Sequence, residues 1–548
     1  MGSIDGIGLG SLWSFQHPTL GELTGVRRKG DIVQFRGIPF AEIPARFRQS
    51  VMRTTLPKLP YDATQPGSTC PHTQALPFPE FWTGPLPQDG IVLKQPLADE
   101  FNCLNLNITA PLTAVQDGHK VPVLVFIHGG AFMVGSSSLQ VAGREIYDGV
   151  RLVQSSVGLG QPLVVVTINY RVGPLGFLAS SALEAYNKSF GEAVGNYGLH
   201  DQRQALKWVY KFIDGFGGDP EMITIQGGSA GGASCHFQAQ FREAKVKRAI
   251  LSSGSTLAIG AMPLSYHEKQ FEAFALRYSS KESGSIIEDL QLIPVAALVE
   301  ETMAGFYNPV IDNDWIRGRT VTDLVENPTT VELMVGSCAF EQDLTLAMLG
   351  ALDPNNLSDQ AMRDTMTSML KPIGLTSETN DLFSADVLKA YGIQNTIETP
   401  SKDRETWAEF VADMIFRIPP YLIGLKTQGK TFLYEFQSTN PYPGWKLGYG
   451  KANHAISDLF LFNPAGDLVE KKHQGEYSGA VQQLQRDWIS FCYGQLDWEP
   501  FKAGDVDKLG PVYTFANHGA GGKFDTLEAA IGKDIVDRWT TVLKVAQT

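Results

Sequence analysis

No stretch of about 18 consecutive apolar residues occurs in this chain, which argues against a membrane-spanning helix. The segment Met1 to Gly10 has neither the basic start nor the apolar core of a secretory leader, so the chain as written is expected in the cytoplasm, with secretion after loss of a leader as the alternative. Gly6 stands where myristoylation wants Ser or Thr, and the final Val-Ala-Gln-Thr is no retention or peroxisomal address. Charge is short as well. A net of -13 over 548 residues speaks against a nucleic-acid partner and predicts only solubility and mild repulsion of anions. Cysteines are few and odd in number: Cys70, Cys103, Cys235, Cys338 and Cys492 leave at least one thiol unpaired if any disulfide forms. None has the close paired spacing of a zinc site. His267-Glu268 opens like a metalloprotease helix, but Phe271 occupies the place of the second histidine. No metal and no organic cofactor is expected.

What is present is an ordinary globular composition, 43% hydrophobic and 19% charged, long enough for one large α/β domain with excursions or for several domains. Leu20 to Phe40 alternates β-branched and aromatic segments around Lys29-Gly30-Asp31 and predicts a β-hairpin. From Pro44 to Ala110 the chain is proline-rich and irregular, as in a long functional loop. Val121 to Ile127 and Leu163 to Ile168 are continuous apolar runs, the signature of strands covered by helices on both faces. Between Asp201 and Phe216, Ala205, Leu206, Trp208, Val209 and Phe212 recur at helical spacing before Gly217-Gly218-Asp219-Pro220. Ile223 to Gly232 then drives an apolar strand into Gly227-Gly228-Ser229-Ala230-Gly231, with a helical segment after it. Gly-x-Ser-x-Gly between strand and helix fits a nucleophile elbow, a strained turn that lifts a seryl hydroxyl off the sheet. With 55 glycines in the chain, the pattern alone could be an accidental loop, and the flanking strand and helix are what raise it. The order of elements predicts a mostly parallel α/β sheet.

Four further blocks carry a resemblance. They are His128-Gly129-Gly130-Ala131-Phe132, Asn169 to Leu178, Asn196 to Gln202 and Phe216 to Pro220. With the elbow they resemble the type-B carboxylesterase/lipase family, relatives of the cholinesterases, densely from about Phe35 to Ser255 and more thinly beyond. The resemblance implies an α/β-hydrolase fold in one domain over residues 1–548, with insertions forming an active-site gorge. It further implies serine carboxylesterase activity on a small-molecule ester, through an acyl-serine intermediate.

A serine hydroxyl needs a base to take its proton, usually a histidine held by a carboxylate, in the chain order Ser, acid, His. Leu333 to Gln342 is an apolar run ending at Glu341, and it resembles the family's Gly-x-Asn-x-x-Glu-Gly block, with Cys338 and Gln342 as departures and Asp343 as a rival acid. Gly450 to Phe460 resembles the family's histidine block and puts His454 on the base. His128, His200 and His236 read as packing or supporting groups. By resemblance the N–H groups of Gly130, Ala131 and Ala230 form the oxyanion hole. Ala131 replaces a third glycine, so its methyl narrows the site and counts against tertiary-alcohol esters.

Gly228 stands where the family often has a glutamate that helps hold a cationic choline. Its absence points to a neutral ester with an apolar acyl or alcohol group. Phe416 fits either an acyl pocket or the core. Cys70 and Cys103 bracket what resembles the family's disulfide-closed omega loop over the mouth, in which Trp82 either lines the entrance or anchors the loop. Phe101-Asn102 replaces the family's Glu-Asp, which predicts loss of its ion pair to Arg46. Arg171 and Asp201 match a structural ion pair. Asn107, Asn187 and Asn356 lie in glycosylation sequons, relevant only to a secreted chain. Leu527, Ile531, Ile535, Trp539, Val542 and Leu543 form one helical stripe. It either packs on the parent domain, leaving a monomer, or pairs two chains as a homodimer. Two other functions stay open: an acyltransferase or lactone-forming cyclase using the same residues, and a binding or adhesion protein without activity.

Overall fold

The computed structural model describes residues 10–73, 95–141, 143–240, 245–278, 285–300, 307–318, 330–350, 370, 382–393, 400–502, 510–515 and 523–547. Trp82, Asn356 and the middle of the expected omega loop lie outside them.

A thirteen-stranded sheet runs through the molecule. Its N-terminal part is antiparallel. The expected hairpin is there as β2 (Gly21–Arg28) and β3 (Ile32–Pro39), and it is preceded by β1 (Ser11–His17), a strand the sequence reading did not anticipate. β4 (Asn105–Pro111) pairs antiparallel with β3 and joins this part to the rest. β5 (Val121–Ile127), β6 (Val164–Ile168), β7 (Gly218–Gly228), β8 (Arg248–Ser252), β9 (Glu332–Cys338), β10 (Thr431–Phe436) and β11 (Val512–Phe515) form a parallel run, edged by the antiparallel β12 (Lys523–Asp525). The spatial order is β1-β2-β3-β4-β6-β5-β7-β8-β9-β10-β11-β12, and the thirteenth strand, Tyr61–Asp62, pairs parallel with β2 off this path. This is the α/β-hydrolase fold.

The apolar runs are explained by two cores. Val123, Val125 and Ile127 of β5 point into one, while Leu124 and Phe126 point into the other. Side chains alternate across a strand, so a strand with helices on both faces must be apolar at every position. On the first face lie α1 (Tyr197–Phe212), whose stripe begins four residues before the predicted one, and α2 (Ala230–Ala239). On the second lie α3 (Ile456–Phe462) and α4 (Gln474–Cys492). The stripe of α5 (Lys533–Gln547) meets the first core, with Trp539, Val542 and Leu543 fully buried. It therefore packs on its own chain.

The sheet order also fixes where a site can form. β5 is flanked by β6 on one side and β7 on the other, so the chain leaves it in one direction and later returns on the opposite side. Such a reversal opens a crevice beyond the carboxyl ends of the strands. The turns after β5 and β7 both open into it.

Arg171 and Asp201 form the expected pair, with Nε and Nη2 donating to the carboxylate at 2.7 Å each. Both side chains are buried, so removing one partner leaves an uncompensated charge. Asp201→Ala should destabilise the fold by about 3–5 kcal/mol, read as a lowered urea midpoint. A change below about 1 kcal/mol would show the pair to be dispensable.

Candidate active site

β7 ends at Gly228 and α2 begins at Ala230, leaving one residue to make the turn. Ser229 makes it with φ 56° and ψ -124°, a combination that costs a non-glycine residue about 1–3 kcal/mol. Its N–H donates to Ser252 O at 2.8 Å and its carbonyl accepts from Ala233 N at 3.0 Å, which tie the turn to β8 and to the helix. A side chain on Gly227 would strike the Gly231 backbone, and one on Gly231 would strike Ile127 O at the end of β5. The glycine spacing is thus a consequence of strand, turn and helix meeting without room for a Cβ.

The turn after β5 leans on this elbow. A Cβ on Gly129 would lie 2.7 Å from Gly228 O and 3.3 Å from Ser229 Cβ. Three consecutive residues, Gly130, Ala131 and Phe132, have positive φ of 112°, 54° and 59°. None of the amides of Gly130, Ala131 and Ala230 donates to a protein acceptor among the described residues. The Ala230 amide is also the first of α2, where the helix dipole favours negative charge. Burial pushes the His128 imidazole down to about 4, its Nδ1 meets Gly129 O at 2.8 Å, and its ring stacks on Tyr170.

Glu341 follows β9, and His454 precedes α3. A parallel bridge between Phe340 and Asn453, with Phe340 N donating to Ala452 O at 2.9 Å, joins the two segments. His454 Nδ1 lies 2.5 Å from Glu341 Oε2. The other oxygen of Glu341 accepts from Cys338 N at 2.7 Å and Ser253 Oγ at 2.6 Å. Asp343, the rival acid, instead accepts the main-chain N–H of His454 at 3.1 Å, and burial pushes its carboxyl up to about 6. Burial pushes the His454 imidazole down, but its attraction to Glu341 outweighs this and leaves it above its ordinary value. His454 Nε2 is buried without a hydrogen-bond partner. Ser229, His454 and Glu341 are all buried, at 6%, 4% and 0% exposure.

Three neighbours escaped the sequence reading. Ser253 holds Glu341, and its only signal was its place at a strand end. Asp458 is buried against Gly228, where a Cβ would strike its carboxylate; Gln226 Nε2 donates to it at 3.2 Å, and burial pushes it up to about 7. Glu100 corrects the expectation at Arg46. It receives Arg46 Nε at 2.5 Å and Nη2 at 2.7 Å, because Asp99 caps the turn at Phe101 and Asn102 and turns Glu100 inward. Phe416 has its ring centroid 4.4 Å from that of His454, which puts it at the site.

The expected disulfide is a second correction. Cys70 and Cys103 are buried free thiols. Cys70 Sγ accepts Val172 N at 3.4 Å, and a hydrogen bond to Cys70 together with burial holds the Cys103 thiol well above its usual range. The loop base is instead closed by main-chain pairing, Thr69 N to Leu97 O and Asp99 N to Thr69 O, both at 3.0 Å. Two sequons are structural. Asn187 is fully buried between Phe47 O and Tyr197, and Asn107 Nδ2 bonds Thr167 Oγ1 and Ser138 Oγ. His200 and His236 are held in packing positions by Gln204 and Thr256.

A doubly covered parallel sheet with a seryl elbow beside a glycine-rich turn is the architecture of an α/β hydrolase. The description "Carboxylesterase family" matches residues 16–492. The chain belongs to the carboxylesterase family. It is 35% identical over 516 residues to Lipase 1 of Yarrowia lipolytica, covering 90% of this chain and 88% of that one. It is 27% identical over 498 residues to para-nitrobenzyl esterase of Bacillus subtilis, covering 86% and 88%. To bovine bile salt-activated lipase it is 30% identical over 387 residues, covering 66% of this chain and 61% of the lipase. The chain thus spans less than two thirds of that relative.

The contact between Gly228 and Asp458 makes a test of local packing. Gly228→Ala should cost about 1–3 kcal/mol by overpacking, and Asp458→Ala in the same chain should recover most of it. Thermal melts of the single and double variants measure the coupling. Additive losses would mean the two residues do not meet.

Proposed function

We propose that this protein is a serine carboxylesterase hydrolysing a neutral carboxylic ester. The observation that carries the reading is the strained Ser229 turn combined with an imidazole that is paired to Glu341 on one nitrogen and unpartnered on the other. In this mechanism His454 Nε2 takes the proton of Ser229 as Oγ attacks the ester carbonyl. Glu341 holds the ring in the tautomer that presents Nε2 and stabilises the imidazolium that forms. The carbonyl oxygen becomes an anion facing the amides of Gly130, Ala131 and Ala230, each worth on the order of 3 kcal/mol of barrier. The imidazolium returns its proton to the alcohol as the C–O bond breaks. Water then attacks the acyl-serine by the same route and releases the acid.

The substrate class follows from what surrounds the serine. Gly228 brings no side-chain charge, and the one carboxylate behind it, Asp458, is buried with its pKa raised to about 7. Phe416 and the Ala131 methyl add apolar surface. An uncharged acyl group fits this better than a quaternary ammonium. Among the relatives, the names para-nitrobenzyl esterase and lipase support esters as substrates.

Hydrolysis of p-nitrophenyl acetate, butyrate and decanoate tests the reading, and Ser229→Ala should remove turnover by a factor of about 10⁴ or more. A folded wild type inert on all three esters would sink it; acyl-transfer product exceeding free acid would move it to an acyltransferase. The pH dependence gives a further check. As a base, His454 must be neutral, so kcat/KM should rise as pH passes a pKa above the ordinary histidine value. Glu341→Gln removes the charge that raises that pKa, so the acid limb should move to lower pH while kcat falls by about 10⁴. An unmoved limb would assign the titration to another group.

A further inference from the structure

The helix Pro400–Ala412 does not end in a cap but widens into a π-turn, Asp413–Arg417, before the helix Pro419–Lys426 resumes. Ile418 N closes the turn on Asp413 O at 2.9 Å, five residues back. Single π-turns are rare, and they concentrate at functional sites. Because such a turn holds one residue more than an α-helical turn, restoring the regular register would rotate its residues by about 100° about the axis. Something must hold the wider register.

The two sides of this turn do different things. On one, Phe416 lays its ring against His454. On the other, Asp413 is a fully buried carboxylate with three donors: Arg417 Nη1 at 2.9 Å, Tyr391 Oη at 2.9 Å and Trp539 Nε1 at 2.8 Å. Arg417 lies 4.9 Å over the Trp539 ring and reaches Glu435 at 3.6 Å, and Tyr421 packs on the same indole with centroids 5.4 Å apart. Trp539 belongs to α5, which lies beyond residue 492, where the family match ends. An element outside the family's matched region therefore grips the turn that covers the proposed base. Arg538 gives α5 a second tie, to Glu409 at 2.7 Å on the preceding helix.

We propose that Trp539 is a positioning residue of the ester site: by its hydrogen bond to Asp413 it holds the π-register, and so keeps Phe416 over His454, where the phenyl ring limits the acyl group that is accepted. The inference rests on the esterase reading. Trp539→Phe tests it, since the ring stays to pack while the N–H is lost. Relative kcat/KM for p-nitrophenyl decanoate against acetate should change by about 5-fold in Trp539→Phe, a coupling typical of residues in contact. Phe416→Ala should change the same ratio. In the Phe416→Ala background, Trp539→Phe should then shift it by no more than about 1.5-fold, because the residue through which it acts is gone.

A purely structural tryptophan would lower the melting temperature and both rates together. An unchanged ratio in a folded Trp539→Phe, or an equal shift with and without Phe416, overturns the proposal. Should Trp539→Phe fail to fold, Tyr391→Phe removes a second donor from the same carboxylate and carries the same expectations. The wild type separates the two levels of the argument: Ser229-dependent turnover with an indifferent ratio defeats this inference alone. A wild type that hydrolyses neither ester defeats the esterase reading and this inference with it.

Discussion

One turn constrains the rest: a buried strand must reverse into a buried helix at a single residue. Ser229 adopts a positive φ there, and a strained conformation persists only when its surroundings over-determine it. They do so on three sides. The end of β5 presses on Gly227 and Gly231, β8 accepts the Ser229 amide, and the turn after β5 leans on Gly228. The same crowding that stabilises the turn leaves the amides of Gly130, Ala131 and Ala230 without internal acceptors among the described residues. Strain and unsatisfied donors are costs to folding, and both lie where a tetrahedral oxyanion would return them as binding energy.

The second requirement is a charged group in a dry place. Glu341 is fully buried, and its two oxygens receive a main-chain amide, a hydroxyl and an imidazole. A buried carboxylate without such partners would be costly. Two further acids, Asp343 and Asp458, surround the same histidine with their pKa values pushed up by burial to about 6 and about 7. The three are distinguished by what they hold. Glu341 pairs with the ring, Asp343 fixes the main chain that carries the ring, and Asp458 fills the space behind the elbow. Sheet register delivers much of this. Ser253 N bonds Gly336 O across β8 and β9, which places its hydroxyl 2.6 Å from Glu341 Oε1 just beyond the end of β9.

This division decides what could be read without coordinates. Local order was legible: the strands β5 and β6, the helix α1 and the elbow are each written in a periodicity or in glycine spacing within about 16 residues. The packing of α5 followed from its own apolar stripe. Contacts between distant segments were not legible, since no periodicity links Ser253 to Glu341 or Gly228 to Asp458. The omega-loop base shows the failure from the other side. Two cysteines invited a cystine, and the loss of Glu-Asp before Cys103 suggested a lost ion pair. Yet a carboxylate one position earlier pairs with Arg46, and main-chain bonds close the loop. β1 was missed because an edge strand with mostly exposed positions lacks the apolar continuity that marked the central ones.

Gly228 shows how the space beside the elbow is filled. Removing a side chain next to a nucleophile would ordinarily leave a void, and voids cost dispersion contacts. Here the room is taken by Asp458, arriving from α3 on the opposite core. The contact bears on the electrostatics as well as the packing. Gly228 brings no charge to the substrate side, and Asp458 is buried behind the strand, bonded to Gln226, with burial pushing its carboxyl up to about 7. Whatever charge Asp458 carries lies beside the imidazole, where it adds to the pull of Glu341 toward the protonated histidine. The elbow thus carries no charged side chain at residue 228, and the buried acids lie around the imidazole.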